Sequence, residues 1–442
     1  MVIQSLPRVS DPPVPKGRVS WHALRALIKH RDILATLEVL HAQLGDVFRI
    51  PMPGFNPVVL VGPEAARFVL VAARNDLRWR SEGDPVTDLL RHGLLVEDGE
   101  LHDALRHQID PAFHYQMLTH YAEAMIRCTD QITASWTERT CCDMLVEMRR
   151  ITLLILTDTL FKVDLSPELQ RLWPAVLHAL AYISPGLWLL WRSVPRPGYA
   201  RARQQLDDYL YRILRERRAA PGASNDLLGL LVTTPEMSDD LIRDQLLTML
   251  IAGHDTSTAL LAWALYLLGS HPAVMERAYA EVDDVLEGDD PTMAHIGQLR
   301  YLDQIIKETL RLYPPIHHGT RIAAVDLEFQ GYRIPAGTRV LYSIYLTHRH
   351  AAYWPDPKRF DPERFAREQN QTRPPYTFLP FGGGSRNCIG TAFAQVEAKI
   401  VLARLLQNFD LQLAFTGVRP YMGATLEPRH GVIMHVRRRR NR

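Results

Sequence analysis

Apolar positions recur at helical spacing along most of the chain, and short alternating runs interrupt them. Residues 20–44 read as one amphipathic helix. Residues 46–50 and 57–61 read as short strands with a Pro/Gly turn between them, and Gly62-Pro63-Glu64 opens another helix. Residues 78–100 are rich in charge, Gly and Pro and read as irregular. Helical spacing returns at 101–113, and residues 114–220 read as several helices. Ser238 with Asp239 and Asp240 is a start signal, and His271-Pro272 a stop signal, so 238–270 reads as one long helix. A helix over 302–312 stops at Pro314-Pro315, residues 316–321 read as a strand, and 391–406 read as an apolar helix.

Composition adds bounds. A chain of 442 residues, 47% apolar and 23% charged, has the makeup of a globular protein. A net charge of +2 gives no global field for nucleic acid, and no nucleic-acid partner is expected. Cys128, Cys141, Cys142 and Cys388 form no disulfide framework, which suits a reducing, cytoplasmic compartment. Cys141 and Cys142 read as ordinary helix positions. Residues 1–20 hold four prolines and no apolar run, so they read as an extended arm without signal peptide or membrane anchor. The basic tail 437–442 reads as a solvated, disordered end, with contact with an acidic partner as the alternative.

Candidate chemistry begins where polar residues interrupt apolar helices. The stretch Leu250-Ile-Ala-Gly-His-Asp-Thr-Ser257 places Gly253, Asp255 and Thr256 inside a buried helix, against propensity. Thr256 is expected to bond back to the Ala252 carbonyl and bend the helix. Gly253 is expected to leave space for a ligand, and Asp255 to relay protons. A tolerated polar kink is the plainer reading. Glu308 and Arg311, three apart, can pair on one helix face. His102 and Arg106 share a face, which alone reads as solvated and basic. In residues 182–191, a Pro-Gly break flanked by Trp and Leu reads as core or lid, with peripheral membrane contact as the alternative. His317 and His318 read as strand-exposed, with a pocket-facing role open.

One stretch organises the rest: Phe381-Gly-Gly-Gly-Ser-Arg-Asn-Cys-Ile-Gly390, followed by the apolar helix. Cys388 stands at a helix N-terminus, where N–H groups and the dipole stabilise an anion, so a thiolate is expected. Gly382, Gly383, Gly384 and Gly390 are expected to let a flat group approach the backbone, and Arg386 adds a permanent cation. Cys388 alone could be a structural thiol, a nucleophile or a metal ligand. Phe-x-x-Gly-x-Arg-x-Cys-x-Gly arises by chance in a chain of this composition at about 10⁻⁵ to 10⁻⁴.

This pattern resembles the haem-binding loop of the cytochrome P450 family. The long-helix stretch resembles the family's oxygen-binding motif. The 308–311 pair resembles its Glu-x-x-Arg motif, joined by Arg364 from Phe360-Asp-Pro-Glu-Arg-Phe365. The motifs come in the family's order, over nearly the whole chain. Many members carry Trp where His102 stands.

The resemblance implies a mainly α P450 fold with a smaller β region and a single catalytic domain over 1–442. Haem b would lie between the long helix and the cysteine loop, near Phe381, Gly253 and Gly390. Cys388 would be the iron ligand. His102, Arg106, Arg321 and Arg386 would bind the propionates, and Asp255 and Thr256 would deliver protons. Glu308, Arg311 and Arg364 would form a structural triad, and 421–425 a final pocket turn. The implied activity inserts one oxygen atom of O2 into a C–H bond or C=C of a lipophilic small molecule. The chain has no Gly-x-Gly-x-x-Gly fingerprint and no cysteine cluster for an iron–sulfur centre. Electrons are therefore expected from a separate ferredoxin or flavodoxin with an NAD(P)H-dependent reductase. A peroxide-driven peroxygenase and a non-catalytic haem-thiolate sensor or carrier are the alternatives. Lacking an anchor, the chain resembles soluble, bacterial-type members.

Overall fold

The computed structural model describes residues 9–30, 32–138, 141–186, 194–220, 222, 225–235, 237–370 and 373–439. Its axis is the helix Asp239–Ser270, capped by Ser238, whose hydroxyl accepts from the Leu241 N–H at 3.2 Å. Between Ile242 and Leu265 only Ala252, Gly253 and Thr256 keep appreciable accessible surface. A helix apolar nearly all round must lie in a core. Helices Met144–Leu156, Tyr199–Ala219, Arg300–Leu312 and Thr391–Asn408 pack around it. His271-Pro272 does end it, but a second helix, Pro272–Leu286, begins at once, turned by 113°. Proline bars the helical conformation to the residue before it, yet suits the first turn of the next helix.

The larger sheet runs in the order Val47–Arg49, Val58–Leu60, Arg339–Ser343, His318–Ala323, Leu77–Arg78. The first two strands pair antiparallel, whereas Val58–Leu60 and Arg339–Ser343 pair parallel. A hairpin of Arg419–Met422 and Leu426–Arg429 lies against the long helix, where the Trp263 indole N–H donates to the Leu426 carbonyl at 2.8 Å.

Several elements differ from the sequence expectation. Residues 20–44 form two helices, Arg18–His30 and Ile33–Leu44, because Asp32 caps the second and accepts from the Leu34 N–H at 2.9 Å. The arm before them therefore ends at residue 17, and Ser10 pairs its backbone with Gly331 and Arg333. Residues 78–100 contain the helix Pro85–Leu90, capped by Asp84, whose Leu89 and Leu90 are fully buried. Cys142 lies in a short strand rather than a helix, paired with Ile433–Arg438. Ile433–Arg438 pairs on its other side with Phe409–Leu413, which places Arg437 and Arg438 in a sheet. Arg437 pairs with Asp410 at 2.9 Å and Arg439 with Asp283 at 2.7 Å, so the basic tail is folded as far as 439. Acidic partners turn its charge into attachment.

Among the described residues no single helix is long and apolar enough to cross a membrane. The bent pair Asp239–Ser270 and Pro272–Leu286 passes that test together, but its first helix forms the core.

Candidate active site

The cysteine loop is shaped by its glycines. Gly382 and Gly384 take φ of +71° and +65°, which L side chains rarely adopt. A Cβ on Gly384 would lie 2.5 Å from the Leu70 carbonyl oxygen, and one on Gly383 2.7 Å from the Tyr376 ring. The expected approach of a flat group does not explain these two residues; close approach of the protein to itself does. The loop returns so that the Cys388 N–H donates to the Phe381 carbonyl at 2.8 Å. Gly390 then precedes the first turn of Thr391–Asn408, and its carbonyl accepts from the Ala394 N–H at 2.8 Å.

Cys388 keeps accessible surface, yet the protein around it desolvates its sulfur. Burial pushes the thiol up, outweighing the Gly390 N–H, the Thr391 hydroxyl and Arg106, which pull it down. The expected free thiolate is therefore corrected. Desolvation exceeds the helix-terminus effect, and deprotonation would come with metal coordination.

Beside this loop lies an excess of cations. Arg386 donates to Asp98 Oδ1 at 2.6 Å and to the Glu97 carbonyl. Burial nevertheless pushes its guanidinium down to about 10, with Arg321 and Arg74 repelling it and Asp98 opposing the shift. Arg321 is buried and donates to the Thr320 carbonyl at 2.7 Å. Arg106 is tied to the loop through the Asn387 carbonyl at 2.6 Å and Asn387 Oδ1 at 2.9 Å. His102 is buried rather than solvated, 2.8 Å from Asp103 Oδ1. Its imidazole is pushed down chiefly by burial, against Asp103 and with Arg386 and Arg106. A group carrying two carboxylates beside Cys388 would relieve this crowding, so the donor set fits a haem with its propionates.

On the long helix the Thr256 hydroxyl donates to the Ala252 carbonyl at 2.6 Å. Ala252, Gly253 and Thr256 form the partly accessible strip in the middle of this helix. A Cβ on Gly253 would lie 2.6 Å from Leu156 Cδ1, the far end of a flexible side chain on the neighbouring helix.

Asp255 is buried; its Oδ2 accepts from the Thr425 hydroxyl at 2.7 Å, while its Oδ1 has no hydrogen-bond partner. Arg149 lies 3.9 Å from Oδ1 and is held by Glu427. Desolvation, then the Glu427 charge, lift the Asp255 carboxyl to about 7, against Thr425 and Arg149. Asp255, Arg149 and Glu427 line a cleft of about 430 Å³ together with Tyr182, Arg196 and Tyr421. Residues 187–193, including most of the Trp- and Leu-rich stretch, lie outside the described residues.

Glu308 accepts from Arg311 at 2.6 and 2.8 Å, with Arg364 3.4 Å away, all buried. His317 is buried rather than exposed, and neither ring nitrogen has a hydrogen-bond partner. Its ring lies 4.5 Å from that of His318, and burial holds both imidazoles below their ordinary value.

Sequence reasoning missed Glu397, Arg149 and Glu427. Ser257 donates to the fully buried Glu397, tying the long helix to the helix that follows Cys388. A single acid between Val396 and Ala398 on an apolar helix was the available signal; Arg149 and Glu427 gave none.

A mainly helical fold that combines a cysteine loop, ringed by arginines, with a long core helix carrying an acid–alcohol pair belongs to the haem-thiolate class. The profile of the family described as Cytochrome P450 matches residues 12–434. Cyclooctat-9-en-7-ol 5-monooxygenase of Streptomyces melanosporofaciens is 32% identical over 86% of this chain and 84% of its own length. Cyclooctatin synthase of the same organism is 33% identical over 93% and 90%. The retinoic acid-bound structure of cyanobacterial CYP120A1 superimposes with a TM-score of 0.85 at 27% identity, over 98% of this chain and 100% of that one. The chain belongs to the cytochrome P450 family and is a P450 monooxygenase, a haem enzyme that uses O2 and an electron-transfer partner.

Proposed function

We propose that this enzyme inserts one oxygen atom of O2 into a C–H bond or C=C of a lipophilic small molecule. The second oxygen atom leaves as water, so each turnover takes two protons and two electrons. Haem b, ligated by Cys388 and held at its propionates by Arg106, Arg321, Arg386 and His102, supplies the oxygen activation when bound. Electrons come from a separate ferredoxin or flavodoxin with its reductase. The chain acts as one catalytic domain, and its place is the cytoplasm.

The observation that carries this reading is the Asp255 cluster. Its carboxyl is lifted close to neutrality, stands next to Thr256 on the long helix, and borders a cleft. Such a group can both accept and release a proton near pH 7. Arg149 and Glu427 hold it from one side and Thr425 from the other. Thr256, which keeps part of its surface accessible, would hand a proton onward. The lipophilic class rests on two relatives' printed names, an alkenol for one and retinoic acid for the other, both largely hydrocarbon.

The test reconstitutes the holoprotein with a ferredoxin or flavodoxin system and NADPH and screens terpenoid alcohols and polyene acids. Oxygenated product containing label from ¹⁸O2, absent in Cys388→Ala, is expected. Product formed only from hydrogen peroxide, or no NADPH-dependent product from any compound that shifts the spin state, overturns the reading. The reduced carbon monoxide spectrum, strongly red-shifted in wild type and not in Cys388→Ala, separates loss of the thiolate from choice of the wrong substrate.

A further inference from the structure

The helix Arg18–His30 is seated inside out. A helix docked on a protein turns its large apolar side chains inward. Here the side facing the protein carries Val19, Ala23 and Ala26, and only Ala23 is buried. The large apolar side chains point away. Trp21 is 62% exposed, Leu24 47%, Leu27 39% and Ile28 67%, and Ile33 at the start of the next helix is 44% exposed. Trp21, Leu24 and Ile28 stand at i, i+3 and i+7, so they form one ridge.

Charge follows the same helix. Arg18, Arg25 and Lys29 stand at i, i+7 and i+11, in a stripe beside the apolar ridge, and Lys16 precedes them; all four are exposed. The helix contains no acidic side chain. Its attachment is nonetheless definite: it packs on Ile33–Leu44, where His22 Nδ1 and Gln43 Nε2 meet at 2.9 Å. Leu34 and Leu40 anchor that second helix in a core with Phe48, Val59 and Leu346. The ridge is therefore held on a rigid support.

We infer that Arg18–His30 is a docking face for an anionic lipid surface. An apolar ridge carrying Trp, bordered by Arg and Lys and free of acids, matches a bilayer interface with acidic headgroups. The rings and aliphatic chains enter the acyl boundary while the basic stripe meets phosphate and carboxylate. A second copy of this chain is the poorer occupant, because a two-fold contact would bring the basic stripes of both helices together. The contact is peripheral and independent of which substrate the enzyme takes.

The test is flotation of the full-length holoprotein with vesicles of phosphatidylcholine alone or with added phosphatidylserine. Flotation with the phosphatidylserine vesicles, weak with phosphatidylcholine alone and reduced by salt, is expected. Trp21→Ser with Ile28→Ser should lower the vesicle-bound fraction about tenfold, and Arg25→Glu with Lys29→Glu should abolish the preference for phosphatidylserine. Both pairs lie on the exposed side, so the thermal midpoint and haem spectrum should match wild type. Wild type that stays unbound with phosphatidylserine vesicles overturns the inference. So does a Trp21→Ser, Ile28→Ser variant that floats as well as wild type. A dimer in sedimentation that this variant converts to monomer, without vesicle binding, assigns the ridge to a second copy and also overturns it.

Discussion

Glu308 and Asp255 are both buried carboxylates on helices, and their surroundings are opposite. Glu308 accepts two bonds from Arg311 and one from the Asp361 N–H at 2.9 Å, with Arg364 nearby. Arg311 spends its remaining donors on the His348, Pro357 and Arg359 carbonyls at 2.9, 2.7 and 3.1 Å. Both Glu308 oxygens and all three Arg311 guanidinium nitrogens have partners, so neither charge can change cheaply. Asp255 has one donor, one bare oxygen, and a cation 3.9 Å away that Glu427 already holds. A saturated network resists change and suits architecture. A half-satisfied one sits near the balance point between two protonation states and suits proton transfer.

The largest effect should come from breaking the saturated side. Arg311→Ala strands the Glu308 charge and should cost about 3–5 kcal/mol, read by denaturant unfolding. Arg311→Lys should rescue little, because one ammonium cannot span both carboxylate oxygens and three carbonyls. An Arg311→Ala protein as stable as wild type would erase the distinction.

On the other side, Asp255→Asn should keep the fold and lower turnover about 100-fold, read as product per haem. Its stability should also change with pH in a definite direction. The folded carboxyl holds its proton up to about 7, whereas the unfolded one releases it in the ordinary carboxylate range. Wild type therefore loses stability between those limits as pH rises, and the asparagine variant does not. The variant's melting advantage should grow with pH up to about 7 and then level off. An advantage that shrinks as pH rises would contradict the burial-driven shift.

Glu397 sharpens the same contrast without entering the chemistry. Burial lifts its carboxyl to about 8, and only the Ser257 hydroxyl opposes this. By the same sign, wild type should lose stability relative to Glu397→Gln as pH rises from the ordinary carboxylate range to about 8, by about 1–3 kcal/mol. Parallel melting curves for the two proteins would show that Glu397 is solvated. The smallest effect is at His317, whose two nitrogens are buried without partners. His317→Phe should stabilise by about 1 kcal/mol, and destabilisation would indicate a partner in solution.

Legibility followed range. The long helix, its Ser238 cap and the Thr256 bond to Ala252 involve neighbours within four residues, and the pattern of residues shows all three. The break at Asp32 and the Asp84-Pro85 helix start are equally local, and their capping signals stand in the sequence. The Cys388 protonation failed for another reason. A helix N-terminus can be read from sequence, but the desolvation that outweighs it depends on everything packed nearby.

By itself the sequence determined the helices, the turn at the cysteine loop and the family, because these rest on side-chain period, caps and glycine conformations set along the chain. Only the tertiary structure decided which charges meet. It brought Thr425 to Asp255 across 170 positions, Glu397 to Ser257 across 140, and Val58–Leu60 parallel to Arg339–Ser343. It also left Trp21 and Ile28 outside while enclosing Ala23. Burial, and the low dielectric that burial creates, are properties of the whole packed chain. They set the state of each ionisable group, and no local stretch of residues contains them.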